Sequence, residues 1–294
     1  MRKVSIIGVG RVGGALAIGL ARKGYWVENL VVRNDATALI AAAYIEPKPQ
    51  ILASANLSEI SSDIIFIATQ DFEIENVAAN LAKLLHHKPF VFHTSGSLSS
   101  EILQSLQEIG CQTGSIHPLV SVSDARLGAE RLAGAYFCVE GEAEAVEIAK
   151  EIVADLGGKP FSIETKYKTL YHASAVTACG HLIALIDVAV EMLQKCGLTE
   201  TAAKETLLPL IKSTVGNLET QTTAEALTGT FARGEVATFE KHLKALENVS
   251  EEAREIYLQL GARSAHLAQR QGANVANLNE IRDKISLAKK NFKC

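Results

Sequence analysis

A glycine-rich turn between an apolar strand and an apolar helix, at the start of the sequence, constrains this chain more than any other feature. Val4, Ile6 and Ile7 form a short β-branched run, and Gly8-Val9-Gly10-Arg11-Val12-Gly13 follows it. Val12, Leu16 and Leu20 then recur at helical spacing, and Trp26 to Val32 reads as a second strand. The order is strand, tight turn, helix, strand. Each glycine has its own mechanical reason in a turn that receives a dinucleotide. Gly8 allows the sharp exit from the strand, Gly10 lets the backbone approach a pyrophosphate, and Gly13 lets the helix lie close to the sheet. The free N–H groups and positive dipole end of the helix then meet the phosphates. Arg11 and Val12 lie within the loop and count with the glycines as cofactor-binding residues. The alternative is a turn of the same shape that holds nothing.

An NAD site calls for an acidic residue at the end of the second strand, where a carboxylate accepts from the ribose 2′-OH. This strand ends Val31-Val32-Arg33-Asn34 instead. Arg33 can pair with a 2′-phosphate in a charge-assisted, bidentate way, so Arg33 and Asn34 predict NADP in preference to NAD. The bland alternative is a solvated Arg33, with Glu28 and Asp35 near it in sequence.

At 294 residues the chain has room for two cores. Its net charge of −4 points away from nucleic acid as a partner. No apolar run reaches the roughly 18 residues needed to span a bilayer, and Met1-Arg2-Lys3 leads directly into a strand, so a cytoplasmic protein without a membrane segment is expected. Cys111, Cys138, Cys179, Cys196 and Cys294 show no paired spacing, which suggests reduced, mostly buried thiols and no zinc site. The eight histidines form no metal pattern either.

Along the chain, strands and helices alternate up to Ile163. Ala36 to Ala43 reads as a short helix and the region of Ile51 as a short strand. Ile64 to Thr69 reads as a strand covered on both faces, and Ile74 to Leu85 as a helix. Pro89 to His93 reads as a strand, Ser99 to Ile109 as a helix, and Gln112 to Ile116 as a strand. Ser121 to Gly134 reads as an irregular connection. Tyr136 to Val139 and Pro160 to Ile163 read as strands on either side of a helix, Glu142 to Leu156. Helical periodicity then takes over, roughly 166 to 196, 200 to 221, 235 to 247, 250 to 271 and 277 to 290. The expected architecture is α/β: a mostly parallel sheet in residues 1–164, then an all-helical domain in 165–294.

Ligands bind outside the carboxyl ends of strands in such sheets. Thr69 and Gln70 occupy that edge and are candidates for the nicotinamide side of a cofactor. Ser95, in the loop Thr94-Ser95-Gly96-Ser97, is placed either to cap the following helix or to face a substrate. His117, between an apolar strand and Pro118, reads equally as a general acid or orienting donor and as a buried structural histidine. Lys168, Tyr171 and His172 open an otherwise apolar, Ala-rich helix, with Lys168, His172 and Cys179 along one face. They form a proton-transfer set suited to carbonyl reduction, with Lys168 or His172 as acid or base and Tyr171 at the substrate. The alternative is a partly wet helix start.

Four motifs together carry a family resemblance: His93-Thr94-Ser95-Gly96; His117-Pro118-Leu119; Lys168 to His172; and Leu227 to Glu235 with Thr238 and His242. The chain resembles, over nearly its whole length, the oxidoreductases that join a Rossmann-like domain to a DUF2520 domain. The resemblance implies kinship with the 6-phosphogluconate dehydrogenase-like group, which includes pyrroline-5-carboxylate reductase, ketopantoate reductase and prephenate dehydrogenase. It also implies a homodimer formed through the helical domain. Two departures stand out from the family pattern. In its TGPxxRGD motif, Thr230 replaces the proline and Glu235 the aspartate. Gly180-His181 stands where the family often has an asparagine.

These readings converge on an NADP-dependent oxidoreductase that moves a hydride between a nicotinamide and a small carbonyl, imine or hydroxy-acid substrate. Ser95, His117, Lys168 and His172 would face the substrate, and Arg233 would anchor a carboxylate. A deazaflavin is a possible alternative hydride partner. The alternative function is a non-catalytic NADP-binding sensor or interaction protein on a dehydrogenase scaffold.

Overall fold

The computed structural model describes residues 2–291, and the chain divides into two compact units, residues 1–179 and 180–294. Cys294 lies outside the described residues.

The first unit is built on one eight-stranded sheet. Its elements in order are β1 (Lys3–Ile7), α1 (Arg11–Arg22), β2 (Trp26–Val32), α2 (Asp35–Ala42), β3 (Gln50–Ala53), β4 (Ile64–Ile67), α3 (Asp71–Leu84), β5 (Phe90–His93), α4 (Gln104–Gln107), β6 (Gln112–Leu119), α5 (Ala125–Arg131), β7 (Tyr136–Gly141), α6 (Ala143–Asp155), β8 (Lys159–Phe161) and α7 (Lys168–Ala178). The strands lie in the order β3-β2-β1-β4-β5-β6-β7-β8, parallel throughout except for the antiparallel β6–β7 pair. The order reverses between β1 and β4, which opens a crevice at their carboxyl ends.

The continuous apolar runs follow from burial on both faces. On β4, Ile64 and Phe66 enter one core with Leu16 and Leu20 of α1 and Ile152 of α6. Ile65 and Ile67 alternate to the opposite core, where Ile74, Ala78 and Leu81 of α3 pack.

Three expectations for this unit change. Ser121 to Gly134 is not wholly irregular, because α5 forms within it, with the Asp124 side chain accepting from the Leu127 N–H at 2.9 Å. Its contact face is made of small residues, so it carries little hydrophobic signal. A Cβ on Gly128 would crowd Ala15, and one on Gly14 would crowd Ala125, so α5 and α1 touch almost backbone to backbone. The helix expected over Ser99 to Ile109 is a 3-10 turn, Ser100–Leu103, followed by the single turn of α4. Strand β6 runs on to Leu119 because β7 pairs with it from Gly114 to Leu119, so His117 lies inside a strand, opposite Cys138.

The second unit contains α8 (Gly180–Lys195), α9 (Glu200–Gly216), α10 (Gly229–Ala232), α11 (Val236–Ala245), α12 (Glu251–Arg270) and α13 (Val275–Asn291). Phe239, Leu258, Ile281 and Ile285 form its main core. The apolar stretch read as one helix from 166 to 196 is divided at Cys179, where α7 ends and α8 begins. Thr165–Lys195 is nevertheless long and apolar enough, by length and composition, to cross a membrane, with a mean hydropathy of 1.8 in its most apolar window. This corrects the expectation that no stretch qualifies; the apolar residues are interspersed with small and polar ones and do not form an unbroken run. The thiols are also less buried than expected: Cys111 and Cys138 are buried, whereas Cys179 and Cys196 are exposed.

Candidate active site

The carboxyl ends of β1, β2 and β4 frame a cleft of about 580 Å³. One wall is the glycine turn. Gly8 adopts φ +92°, and a Cβ there would press on the backbone of Ala68. A Cβ on Gly13 would overlap the Gly8 carbonyl oxygen, whereas one on Gly10 would meet no protein atom. The turn therefore has one glycine that makes its bend, one that admits the helix and one that faces open space. Gly10 is the N-cap of α1 and offers no side chain, so the first N–H groups of the helix are unclaimed by a side-chain cap. Thr69 lines the cleft from the end of β4, and its hydroxyl is buried without a hydrogen-bond partner. Room beside Gly10, an uncapped helix start and an orphaned hydroxyl all suit a dinucleotide.

Arg33, Asn34, Gln70, Phe72 and Glu73 line it as well, with Thr37, Ser54, Asn76 and Asn80. The Asn34 side chain accepts from the Ala36 N–H at 3.0 Å and caps α2. Arg33 donates from Nη1 to Glu73 Oε1 at 2.6 Å. Its sequence neighbour Glu28 is occupied elsewhere, with Lys3 and Ser62.

A second group of polar residues gathers where β5, β6, β7 and α7 meet. Lys168 is 2% exposed. Its ammonium donates to Ser115 Oγ at 2.6 Å and pairs with Glu140 Oε1 at 3.3 Å. Glu140 also accepts from the Ser100 N–H at 2.9 Å and the Ser100 hydroxyl at 2.8 Å. Sequence reasoning missed Glu140, Ser115 and Ser100. The available signal was a carboxylate directly following the apolar run Phe137-Cys138-Val139, since a charge there needs a buried partner.

His117 Nδ1 lies 2.6 Å from Tyr171 Oη, and the His117 and His172 rings stand edge to face with centroids 5.7 Å apart. Both rings close over Gly96, where a Cβ would collide with His117 Nε2 and His172 Nδ1. His172 Nδ1 is buried and has no hydrogen-bond partner. Burial, reinforced by the charge of Lys168 and by His172, pushes the His117 imidazole down to about 4. Burial and Lys168 push His93 down to about 3. Burial pushes the Tyr171 phenol well up. At neutral pH these two imidazoles and the phenol are uncharged.

Ser95 uses its hydroxyl within its own loop, accepting from the N–H groups of Ser97 and Leu98 at 3.2 and 3.1 Å. Ser97 donates to Asp71 Oδ2 at 2.6 Å, which ties this loop to the first residue of α3 beside the cleft. Arg233 lies in the second unit, on the turn after α10, and pairs with Glu235 at 2.6 Å. Among the described residues no three His, Cys, Asp or Glu side chains gather as metal ligands.

The chain matches the Rossmann-like domain over residues 1–118 and DUF2520, a domain of unknown function, over residues 135–264. No curated protein matches it in sequence. Among solved structures it is similar to a candidate NADP oxidoreductase from Bacteroides fragilis, at 21% identity, TM-score 0.72, 90% of this chain and 98% of that one. It is also similar to a protein from Thermotoga maritima, at 23% identity, TM-score 0.71, with 91% and 99% covered. Pyrroline carboxylate reductase from Plasmodium falciparum, solved with NADP bound, is similar at 14% identity and TM-score 0.57, with 91% and 98% covered. With one domain matched in each half, the chain joins a Rossmann-like domain to a DUF2520 domain.

Proposed function

We propose that this protein is an NADP-dependent oxidoreductase acting on a small carbonyl, imine or hydroxy-acid substrate, with kinship to the 6-phosphogluconate dehydrogenase-like group. The observation that carries the reading is the glycine turn beside an open cleft, with the uncharged His117–Tyr171 couple in the same compact unit. The likeness to the candidate NADP oxidoreductase from Bacteroides and to the NADP-bound pyrroline carboxylate reductase from Plasmodium supports it.

When bound, the nicotinamide supplies or accepts the hydride. The protein's residues do the rest. The turn from Gly8 to Gly13, with Arg11 and Val12, would hold the pyrophosphate against the start of α1. Arg33 and the Asn34 cap would receive the 2′-phosphate, and Thr69 and Gln70 would flank the nicotinamide. Reduction of a carbonyl or imine also needs a proton at the substrate heteroatom. His117 Nδ1 and Tyr171 Oη share a hydrogen bond; with the phenol as donor, the proton of the neutral His117 would sit on Nε2, the nitrogen facing Gly96. His117, Tyr171 and His172 would therefore deliver and recover that proton.

Lys168, a candidate acid or base on sequence grounds, is engaged by Ser115 and Glu140. Its role would be to keep His117 neutral and to hold α7 on the sheet. Ser95 would shape the loop. Arg233 would anchor a substrate carboxylate, and residues 165–294 would form the substrate and dimerisation domain.

Fluorescence titration with NADPH and NADH tests the reading. Binding of NADPH, preferred at least tenfold (about 1.4 kcal/mol), followed by turnover on a carbonyl and imine panel, is expected. Absence of binding would overturn it, and binding without turnover would favour a sensor. Leu170, Val176, Ile183 and Leu185 stand exposed on α7 and α8, and a second copy of the chain would cover them. Sedimentation should show a dimer at micromolar concentration in the cytoplasmic protein, and a monomer would refute that part.

A further inference from the structure

We propose that Glu73 sets the balance between NADP and NAD by holding Arg33 as its counter-ion, so that a 2′-phosphate must compete with an internal carboxylate for the guanidinium. The inference rests on reading the cleft as a dinucleotide site.

Arg33 and Glu73 line that cleft from different elements, Arg33 after β2 and Glu73 in the first turn of α3. Arg33 Nη1 meets Glu73 Oε1 at 2.6 Å. The Arg33 side chain is 72% exposed and that of Glu73 only 21%, so the carboxylate is the fixed partner and the guanidinium the mobile one. Among the residues that line the cleft the other polar side chains, Thr37, Ser54, Thr69, Gln70, Asn76 and Asn80, are uncharged, and Asn34 is occupied in capping α2. A guanidinium has five N–H donors, but Nη1 is held by Glu73, so a 2′-phosphate either draws Arg33 off that carboxylate or shares the guanidinium with it. A 2′-phosphate seated there would bring its negative charge close to that of Glu73. A ribose 2′-hydroxyl carries no charge and can donate to the same carboxylate. Glu73 thus opposes NADP and favours NAD, which narrows the preference that Arg33 alone would impose. The end of β2 has no carboxylate facing the cleft; α3 supplies one from the other side.

The test is a set of binding titrations with NADPH, NADH and adenosine 2′,5′-bisphosphate, on the wild type, Glu73→Gln, Arg33→Ala and the double variant. Both side chains lie at the cleft rim, away from the apolar cores, and equal melting temperatures check that folding is unaffected. Glu73→Gln should tighten NADPH and the bisphosphate about three- to tenfold and leave NADH unchanged or weaker, the scale of one solvent-screened charge contact. In the Arg33→Ala background the gain for the 2′-phosphate ligands should shrink to under about twofold. If Glu73→Gln changes NADPH and NADH equally, or changes neither, the inference falls while the dinucleotide site stands. If the wild type binds none of the three ligands, both fall.

Discussion

The Lys168–Glu140 pair offers the sharpest test of how the first unit supports its site. Lys168 is almost completely buried, and its ammonium is 3.3 Å from the carboxylate. With an effective dielectric constant of about 20, a charge pair at that distance interacts by about 5 kcal/mol. Glu140→Gln keeps the shape and leaves an acceptor for the Ser100 N–H, so it removes little except the charge. It should therefore destabilise the unit by about 3–5 kcal/mol, the usual result of orphaning a buried ion. Lys168→Met should cost less, about 2 kcal/mol, because Glu140 retains its two hydrogen bonds from Ser100. The double variant should cost no more than the worse single one, since the buried charge and its counter-ion leave together. Urea unfolding followed by the fluorescence of Trp26, the only tryptophan, reads this unit alone. A double variant whose loss equals the sum of the singles to within about 0.5 kcal/mol would show the two groups to be uncoupled. The placement of α7 by an internal ion pair would then be wrong.

Other expectations follow from the same geometry. His93 and His117 titrate near 3 and 4 in the folded state, below the ordinary value of 6.5, so the unfolded chain binds more protons as pH falls. Their contribution is fully present above about pH 6.5 and is lost as pH falls toward 4 and 3. Unfolding curves from pH 7 to 4 should show stability falling by a few kcal/mol, and His117→Gln should flatten that slope; an unchanged slope would contradict the assignment. Lys168→Met should raise the His117 titration midpoint seen by NMR, because the ammonium is the second cause of its depression after burial. Gly96→Ala should lower stability by about 1–3 kcal/mol in thermal melts and reduce turnover, since the new methyl group meets both histidine rings. Phe72, largely exposed on the cleft rim, offers a face to an adenine; Phe72→Ala should weaken NADPH and NADH alike by about 1 kcal/mol in titrations.

Much of the fold was legible because its signals are local. Ile64 to Ile67 are apolar because each successive residue enters the opposite core, and that pattern survives in one short window of sequence. The glycine turn was legible for the same reason: the contact that excludes a side chain at Gly13 is with Gly8, five residues away. Helix α5 escaped because its packing surface is absence of side chain, Ala125 and Gly128 against Gly14 and Ala15, and periodicity measures only bulk. Strand β6 read short because its last residues are held by β7, a partner about twenty residues on, and a histidine followed by proline carries no strand signal of its own.

The site was legible in its residue types and not in its assignments, and the reason is sequence distance. Tyr171 bonds to His117 across 54 residues, and Lys168 reaches Ser115 across 53 and Glu140 across 28. Composition at the start of α7 can say that a lysine, a tyrosine and a histidine lie near one another. It cannot say which of them a carboxylate on β7 will claim. Once Glu140 claims Lys168, the lysine charge becomes part of the environment that holds His117 neutral, and the neutral imidazole can share a hydrogen bond with an un-ionised phenol. Arg33 follows the same logic on the other side of the unit: its position after β2 was plain, but its partner Glu73 lies 40 residues on. In both places the cation was visible in the sequence and its counter-ion was not, and the counter-ion determines what the cation is free to do.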